Sequence, residues 1–276
     1  MDLYPSVVVS RNMKRSSIVL LFSLVSLMAV SCSKSGNIFS NGKPVTQERQ
    51  LDTRFDAVRM HNNVNVELIQ SNTPHIEITC PENLIDRITA NVEDGMLVIR
   101  NENKFNWLRN FDYECNMKVF YDSINRIEFA SIGNLTTRDS LRGFAVFDTI
   151  KDIEGNDSTI IKKQTFNLNV TEGSGDIALL FSCDILKNGI SNGTSDVTLK
   201  GNVGYAEHLL KSYGKLDARD LNTNIITIQS NTTNDAYIWA RAQIYVEINS
   251  IGNVYYKGHP YIEKTINGDG NVFPIE

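Results

Sequence analysis

The chain has 276 residues, of which 41% are hydrophobic and 21% charged, and its net charge is −5. That is the composition of a globular domain long enough to bury a sizeable core, which excludes a disordered chain and a polytopic membrane protein. The negative balance, with no basic cluster, argues against nucleic acid or anionic lipid as a partner captured by charge.

In chain order, the first feature is Lys14-Arg15 followed by the apolar run Ile18 to Val30. The run is shorter than the ~20 residues a membrane span needs and has the length of a signal-peptide core. It ends in Ala29-Val30-Ser31-Cys32, which resembles the lipobox of bacterial lipoproteins. Residues 1–31 therefore read as a lipoprotein signal peptide, with Cys32 as the lipid attachment site and Met13 as a plausible start. Residues 32–50 are polar, with Gly, Asn and Ser, and read as a flexible tether, with order expected from about Phe55.

From residue 51 the chain reads as strand. Val64-Asn65-Val66-Glu67-Leu68 and Ile76-Glu77-Ile78 alternate apolar with polar residues, and Ser71 to Pro74 and Glu93-Asp94-Gly95 are turn formers. Only Pro81 to Ile88 hints at a helical turn. Cys80, Cys115 and Cys183 lack the spacing of a zinc site and read as buried hydrophobes, with Cys80–Cys115 the pair open to bridging in an oxidising envelope.

Further along, small residues precede a polar residue and then an apolar strand at Asn134, Asn156, Asp176, Asp196, Lys215, Asp235, Asn253 and Asn271. The intervals are 22, 20, 20, 19, 20, 18 and 18, a steadiness that marks a repeat. Two or three short strands and their corners fit such a unit, which is one coil of a β-solenoid. A sandwich of hairpins would place turns every 8–12 residues instead. The expected fold is all-β, a right-handed β-solenoid or β-helix with ~19-residue coils and a more sandwich-like N-terminal part. Ser-Ile-Gly-Asn occurs at 131–134 and again at 250–253, and so marks equivalent corners.

These residues carry a family resemblance. Phe55-Asp56-Ala57-Val58 with Val64-Asn65-Val66, Asp94-Gly95-Met96-Leu97-Val98-Ile99, Gly173-Ser174-Gly175-Asp176-Ile177 and Tyr256-Lys257-Gly258-His259-Pro260 occur in the order found in the autotransporter-adhesin head GIN domain family. The resemblance covers residues 51–276 as a single domain, although several Gly-Ser-Gly corners are replaced, as at 192–195, 212–214 and 231–234. It implies a β-helical fold and a Bacteroidetes-type envelope lipoprotein.

No catalytic constellation is legible, and none of the cofactor or metal motifs. His61, His75, His208 and His259 are scattered, and Gly173 to Asp176 is not a nucleophile elbow. The oxygen-rich stretch Asp152 to Asp157 lacks an EF-hand frame. The Asp-Ser/Thr contexts of Ser123, Ser140, Thr149 and Ser158 resemble O-glycosylation sites of Bacteroides-type envelopes. Phe105 and Trp107, in a stretch that breaks alternation, are a candidate aromatic binding surface. Tyr255 and Tyr256 fall on opposite faces of one strand, so that one is displayed beside Tyr261.

The expected function is that of a non-enzymatic, lipid-anchored envelope protein at the outer membrane, an adhesin-like scaffold for glycan or for envelope or host protein. The alternatives are a periplasm-facing structural module, favoured by the absence of an acidic run after Cys32, and a polysaccharide-acting β-helix enzyme.

Overall fold

The computed structural model describes residues 42–104, 113–151 and 157–276. Among them regular structure is all β, apart from one 3-10 turn at Ile85–Arg87. No described helix is long and apolar enough to cross a membrane. The early strands are short: β1 Pro44–Gln50, β2 Ala57–Asn62, β3 Asn65–Gln70, β4 His75–Pro81, β5 Ile88–Glu93, β6 Met96–Asn101, β7 Asn116–Tyr121, β8 Arg126–Ser131 and β9 Leu135–Thr137. β10 Phe144–Lys151 and β11 Asp157–Gly173 follow, and then the long β12 Ile177–Ile190, β13 Val197–Leu210, β14 Leu216–Ser230 and β15 Ala236–Ile248. β16 Val254–Lys257, β17 Tyr261–Ile266 and β18 Val272–Pro274 end the chain.

Each long strand is two arms meeting at a corner. In β12, Ile177, Leu179, Phe181 and Cys183 point inward, whereas beyond Asp184 the buried set is Leu186, Asn188 and Ile190. The inward phase thus slips by one residue at the corner, which carries the chain from one arm to the other while keeping apolar side chains inside. β13 repeats the slip between Val203 and Ala206, whereas in β15 the corner takes up three residues between Ala240 and Ile244 and the inward phase is kept.

Neighbouring coils pair in parallel. Ile177 and Ile190 stand opposite Val197 and Leu210, which in turn stand opposite Leu216 and Ser230. From Ile244 the register steps to Ile262, and from Val254 to Val272. The expected period is therefore the coil length, and every coil adds two arms to one continuous sheet that bends at the corners. Phe166, Leu186, Ala206, Ile226 and Ile244 form one inward row of the resulting core, all of them at most 1% exposed. Burying a side chain of this kind contributes about 1.5–3 kcal/mol, so the core dominates the stability of the fold.

The structure differs from the sequence reading in three places. Asn156 lies outside the described residues and is not needed as a corner, because Ile177 pairs directly with Leu135 and the Asp176 N–H donates to Asn134 Oδ1. The two Ser-Ile-Gly-Asn copies are separated by one fewer coil than the spacing predicts, since β10 and the first half of β11 form an antiparallel hairpin inserted into a coil. Second, Pro44–Gln50, expected within the tether, forms β1 along all of β4. Third, chain order is not coil order at the N-terminal end. β2 lies between β6 and β8, and β3 between β7 and β9. The antiparallel character expected there resides in β1, β4 and β5. Cys80 and Cys115, opposite one another where β4 meets β7, form a disulfide.

The Asx corner explains its own sequence. Asn134 N donates to Asn65 Oδ1, Lys215 N to Asp196 Oδ1, Asn253 N to Asp235 Oδ1 and Asn271 N to Asn253 Oδ1. A short side-chain acceptor thus satisfies the corner amide of the next coil. Three residues earlier, Ser131 and Thr232 donate to carbonyls of the coil below, Asn62 and Ser212, while accepting from the N–H two residues on. Between them, a Cβ added at Gly133, Gly175, Gly214 or Gly252 would overlap backbone oxygen of the preceding coil. Glycine is required there by close approach and not by a left-handed φ, whereas Gly173 and Gly193 combine the same close approach with positive φ.

Asn188 and His208 are polar members of an otherwise apolar inward row, and Asn188 Nδ2 meets His208 Nδ1 at 3.2 Å. His208 is 1% exposed, and burial pushes its pKa down to about 4.

Two predictions follow from this packing. Gly214→Ala lowers stability by about 2–3 kcal/mol because the coils cannot part at one corner alone. Gly189→Ala, whose Cβ would meet only Asn169 Oδ1 at 3.6 Å, stays within about 1 kcal/mol in urea denaturation. Below pH 6.5 the unfolded chain binds a proton that buried His208 refuses down to about pH 4. Stability is therefore complete above that window and falls through it by up to about 3 kcal/mol. The His208→Leu variant shows a flatter stability profile between these pH values, and an unchanged slope refutes the assignment.

Candidate binding surface

The outward side chains of the β12 to β18 sheet form ladders, because parallel pairing in register sets equivalent positions over one another. One ladder runs Thr198, Asp217, Tyr237, Tyr255, Phe273. The Tyr237 and Tyr255 rings stack with centroids 5.0 Å apart and 13° between planes, and Tyr255 and Phe273 at 5.6 Å and 30°. Beside it, Lys257 pairs with Trp239 and sets its ammonium 4.7 Å from the ring centroid.

A bulge in β14 completes the surface. The register with β15 jumps between Ala218 and Asn222, and the extra residues throw Arg219 and Asp220 outward. The Arg219 guanidinium lies 4.8 Å from the centroid of Tyr237 and holds Asp217 through Nε–Oδ1 (2.9 Å) and Nη2–Oδ2 (2.5 Å). That fork keeps the Asp217 carboxyl below the usual carboxylate range. Asp220 is paired with Lys200 at 3.2 Å. Together with Lys257 and Glu276 these groups line a cavity of about 420 Å³.

Asp217 and Asp220 in the cavity are ion-paired, and Asp217 is held ionised rather than poised to donate a proton. Among the described residues no group of three or more His, Cys, Asp and Glu is placed to hold a metal ion. Ring faces within the ladder cover one another, and the aromatic surface left to a ligand is the ring edges and the outer side of Phe273, which is 41% exposed. Ring edges and the alternating charges suit a hydroxyl-rich or mixed-charge ligand lying along the sheet.

Of the residues expected from sequence, Cys32, Phe105 and Trp107 lie outside the described residues. Ser123 is exposed in the turn before β8, and Ser140 is half-buried beside Asp139, whose carboxylate accepts the Gln70 N–H. Thr149 and Ser158 fall within β10 and β11 rather than in turns. Tyr255 and Tyr256 do point to opposite sides, Tyr256 packing against the core, and Tyr261 is exposed. The sequence reading missed Arg219, Tyr237, Trp239 and Phe273. Aligning the chain at the period of 18 would have set Tyr237, Tyr255 and Phe273 in one column.

If the rings act as a continuous ladder, Tyr255→Ala, which removes two stacked pairs, costs about 2–3 kcal/mol in urea denaturation. Phe273→Ala, at the end of the stack, costs about 1 kcal/mol. Equal losses refute continuity.

The family model described as "Putative auto-transporter adhesin, head GIN domain" matches residues 54–260. Among curated proteins none matches the chain. In fold the chain is similar to a "putative adhesin" from Bacteroides fragilis, with a TM-score of 0.70 at 20% identity over 84% of this chain and 97% of that one. It is similar also to a "putative lipid binding protein" from Parabacteroides distasonis (TM-score 0.60, 19% identity, 86% and 98% covered). A "putative adhesin" from Parabacteroides merdae is likewise similar (TM-score 0.56, 20% identity, 86% and 98% covered).

Proposed function

The chain belongs to the head GIN domain family, and on that premise we propose that it is a non-enzymatic, adhesin-like lipoprotein of the cell envelope. In this reading residues 1–31 are a signal peptide, Cys32 carries lipid at the outer membrane, and the residues up to β1 tether a β-solenoid that binds glycan or an envelope or host protein. The observation that carries it is the outward ladder of Tyr237, Tyr255 and Phe273 beside a cavity of about 420 Å³ lined by Arg219, Lys200 and Lys257. The Cys80–Cys115 disulfide supports an oxidising compartment. The exposure of Ser123 in its turn supports O-glycosylation there, the other three sites being secondary.

The test is a glycan and matrix-protein array probed with the mature chain. A specific signal that falls at least about tenfold in the Arg219→Ala/Lys257→Ala variant, with unchanged circular dichroism, is the expected result. An array without signal overturns the ligand-binding reading in favour of a periplasm-facing structural module. Intact mass of the native protein reads acylation at Cys32 and any glycan separately.

A further inference from the structure

In each Asx corner the middle residue is exposed between two that are buried or half-buried. Ser131 and Gly133 are buried around an exposed Ile132, and Ser212 and Gly214 around an exposed Tyr213. Stacking makes the middle residues one column, because the N–H groups of Ile132, Ser174, Thr194 and Tyr213 donate in turn to Asn62, Ser131, Gly173 and Gly193 of the coil below. Thr233, Ile251 and, in the last coil, Asp269 continue it, since Gly252 N donates to Thr232 O and Gly270 N to Ser250 O. The fold uses the flanking Ser/Thr, Gly and Asx but asks nothing of the middle residue, whose side chain leaves the surface. Small hydroxyl residues suit that position at Ser174, Thr194 and Thr233. Yet Ile132, Tyr213 and Ile251 are 58%, 68% and 57% exposed there, matched among the described large apolar side chains only by Tyr261.

The column lies on the edge where the chain enters the fold. β7 begins at this corner beside Asn65, β4 runs antiparallel to β7, and β1 antiparallel to β4. Pro44 is therefore at the same edge, four strand spacings or roughly 19 Å from the Asn134 corner. From there to the Asn253 corner the column extends five spacings, roughly 24 Å more.

We propose that the Ile132–Tyr213–Ile251 column is a membrane-contact edge, which lays the solenoid side-on against the headgroup region of the bilayer that holds its anchor. This rests on the reading of Cys32 as lipid-bearing. The segment from Cys32 to Gly42 has a maximum extended reach of roughly 35 Å. The first knob is thus within range of the anchoring lipid. Asn249 and Ser250 adjoin Ile251, with Asp235 and Asp269 in the coils on either side, whereas Lys211 and Lys215 flank Tyr213 and Glu172, Asp176 and Asp196 flank the small residues. With no net basic charge, the edge is suited to zwitterionic headgroups. Tyr is at home in the interfacial zone, and a few shallow apolar knobs hold weakly unless a tether raises their effective concentration.

The chain from Ser33, with a polyhistidine tag in place of the lipid, is held on phosphatidylcholine vesicles by a nickel-chelating lipid. An environment-sensitive dye is placed on Ile132→Cys, Ile251→Cys or, at the opposite corner, Asn224→Cys. Native thiols do not compete, as Cys183 is buried and Cys80 and Cys115 are paired. The expected result is a blue shift and at least about threefold stronger quenching by spin-labelled lipid at 132 and 251 than at 224. Dyes that stay in water at the two corner sites, or equal quenching at 224, overturn the proposal. Because the tag replaces the anchor, an unacylated Cys32 leaves this outcome readable and is detected by mass alone.

Discussion

Everything in this fold depends on how closely one coil's corner can lie on the next. Parallel strands sit about 4.8 Å apart, and a chain that turns at the same place in every coil must bring corner backbone within van der Waals distance of the corner below. Glycine at 133, 175, 214, 252 and 270 permits that approach, since any Cβ there would meet backbone oxygen. The approach leaves amides facing the corner below, and the Asx and Ser/Thr side chains are the acceptors that satisfy them. Residue choice at the corner thus follows from one distance.

Given that spacing, like falls upon like. Phase slips at the corners, one in β12, one in β13 and two in β14, keep apolar side chains inward on both arms. The same register stacks whatever points outward, so a Tyr at 237 and a Tyr at 255 become a stack without any further design. Such ladders are stabilising first, because their ring faces are spent on one another. What they leave for a ligand is edges, the terminal ring and the charged groups that a bulge can place beside them. The β14 bulge does this with Arg219, which closes the Tyr237 end of the stack and opens the cavity beside it.

The coil period was legible because corner chemistry is local: Gly, Ser/Thr and Asx within four residues announce each turn. Asn156 shows where local signals mislead, for its corner-like context has no counterpart in the coil register, which steps directly from Leu135 to Ile177. The interleaving of β2 and β3 among later strands was not legible, since alternation says which face a residue takes but not which strand lies beside it. β1 was hidden for a related reason. Its strand alternates half-buried Val45, Gln47 and Arg49 against exposed residues, a pattern of polar side chains that hydropathy does not register. The Arg219 cavity depends on a register jump between coils, a property of pairs of strands that a single chain position does not display.

Ser-Ile-Gly-Asn unites these levels. Ser131 ties its corner to Asn62, Gly133 admits Val64 backbone, and Asn134 supplies the acceptor for Asp176. Those three positions are spoken for by the fold, which is why they recur. The Ile is not, and an isoleucine held more than half exposed gives up apolar burial that a Thr or Ser at the same place would not forgo. Where packing explains three residues of a motif and leaves the fourth at a cost, the fourth is the one to be explained by what the protein touches.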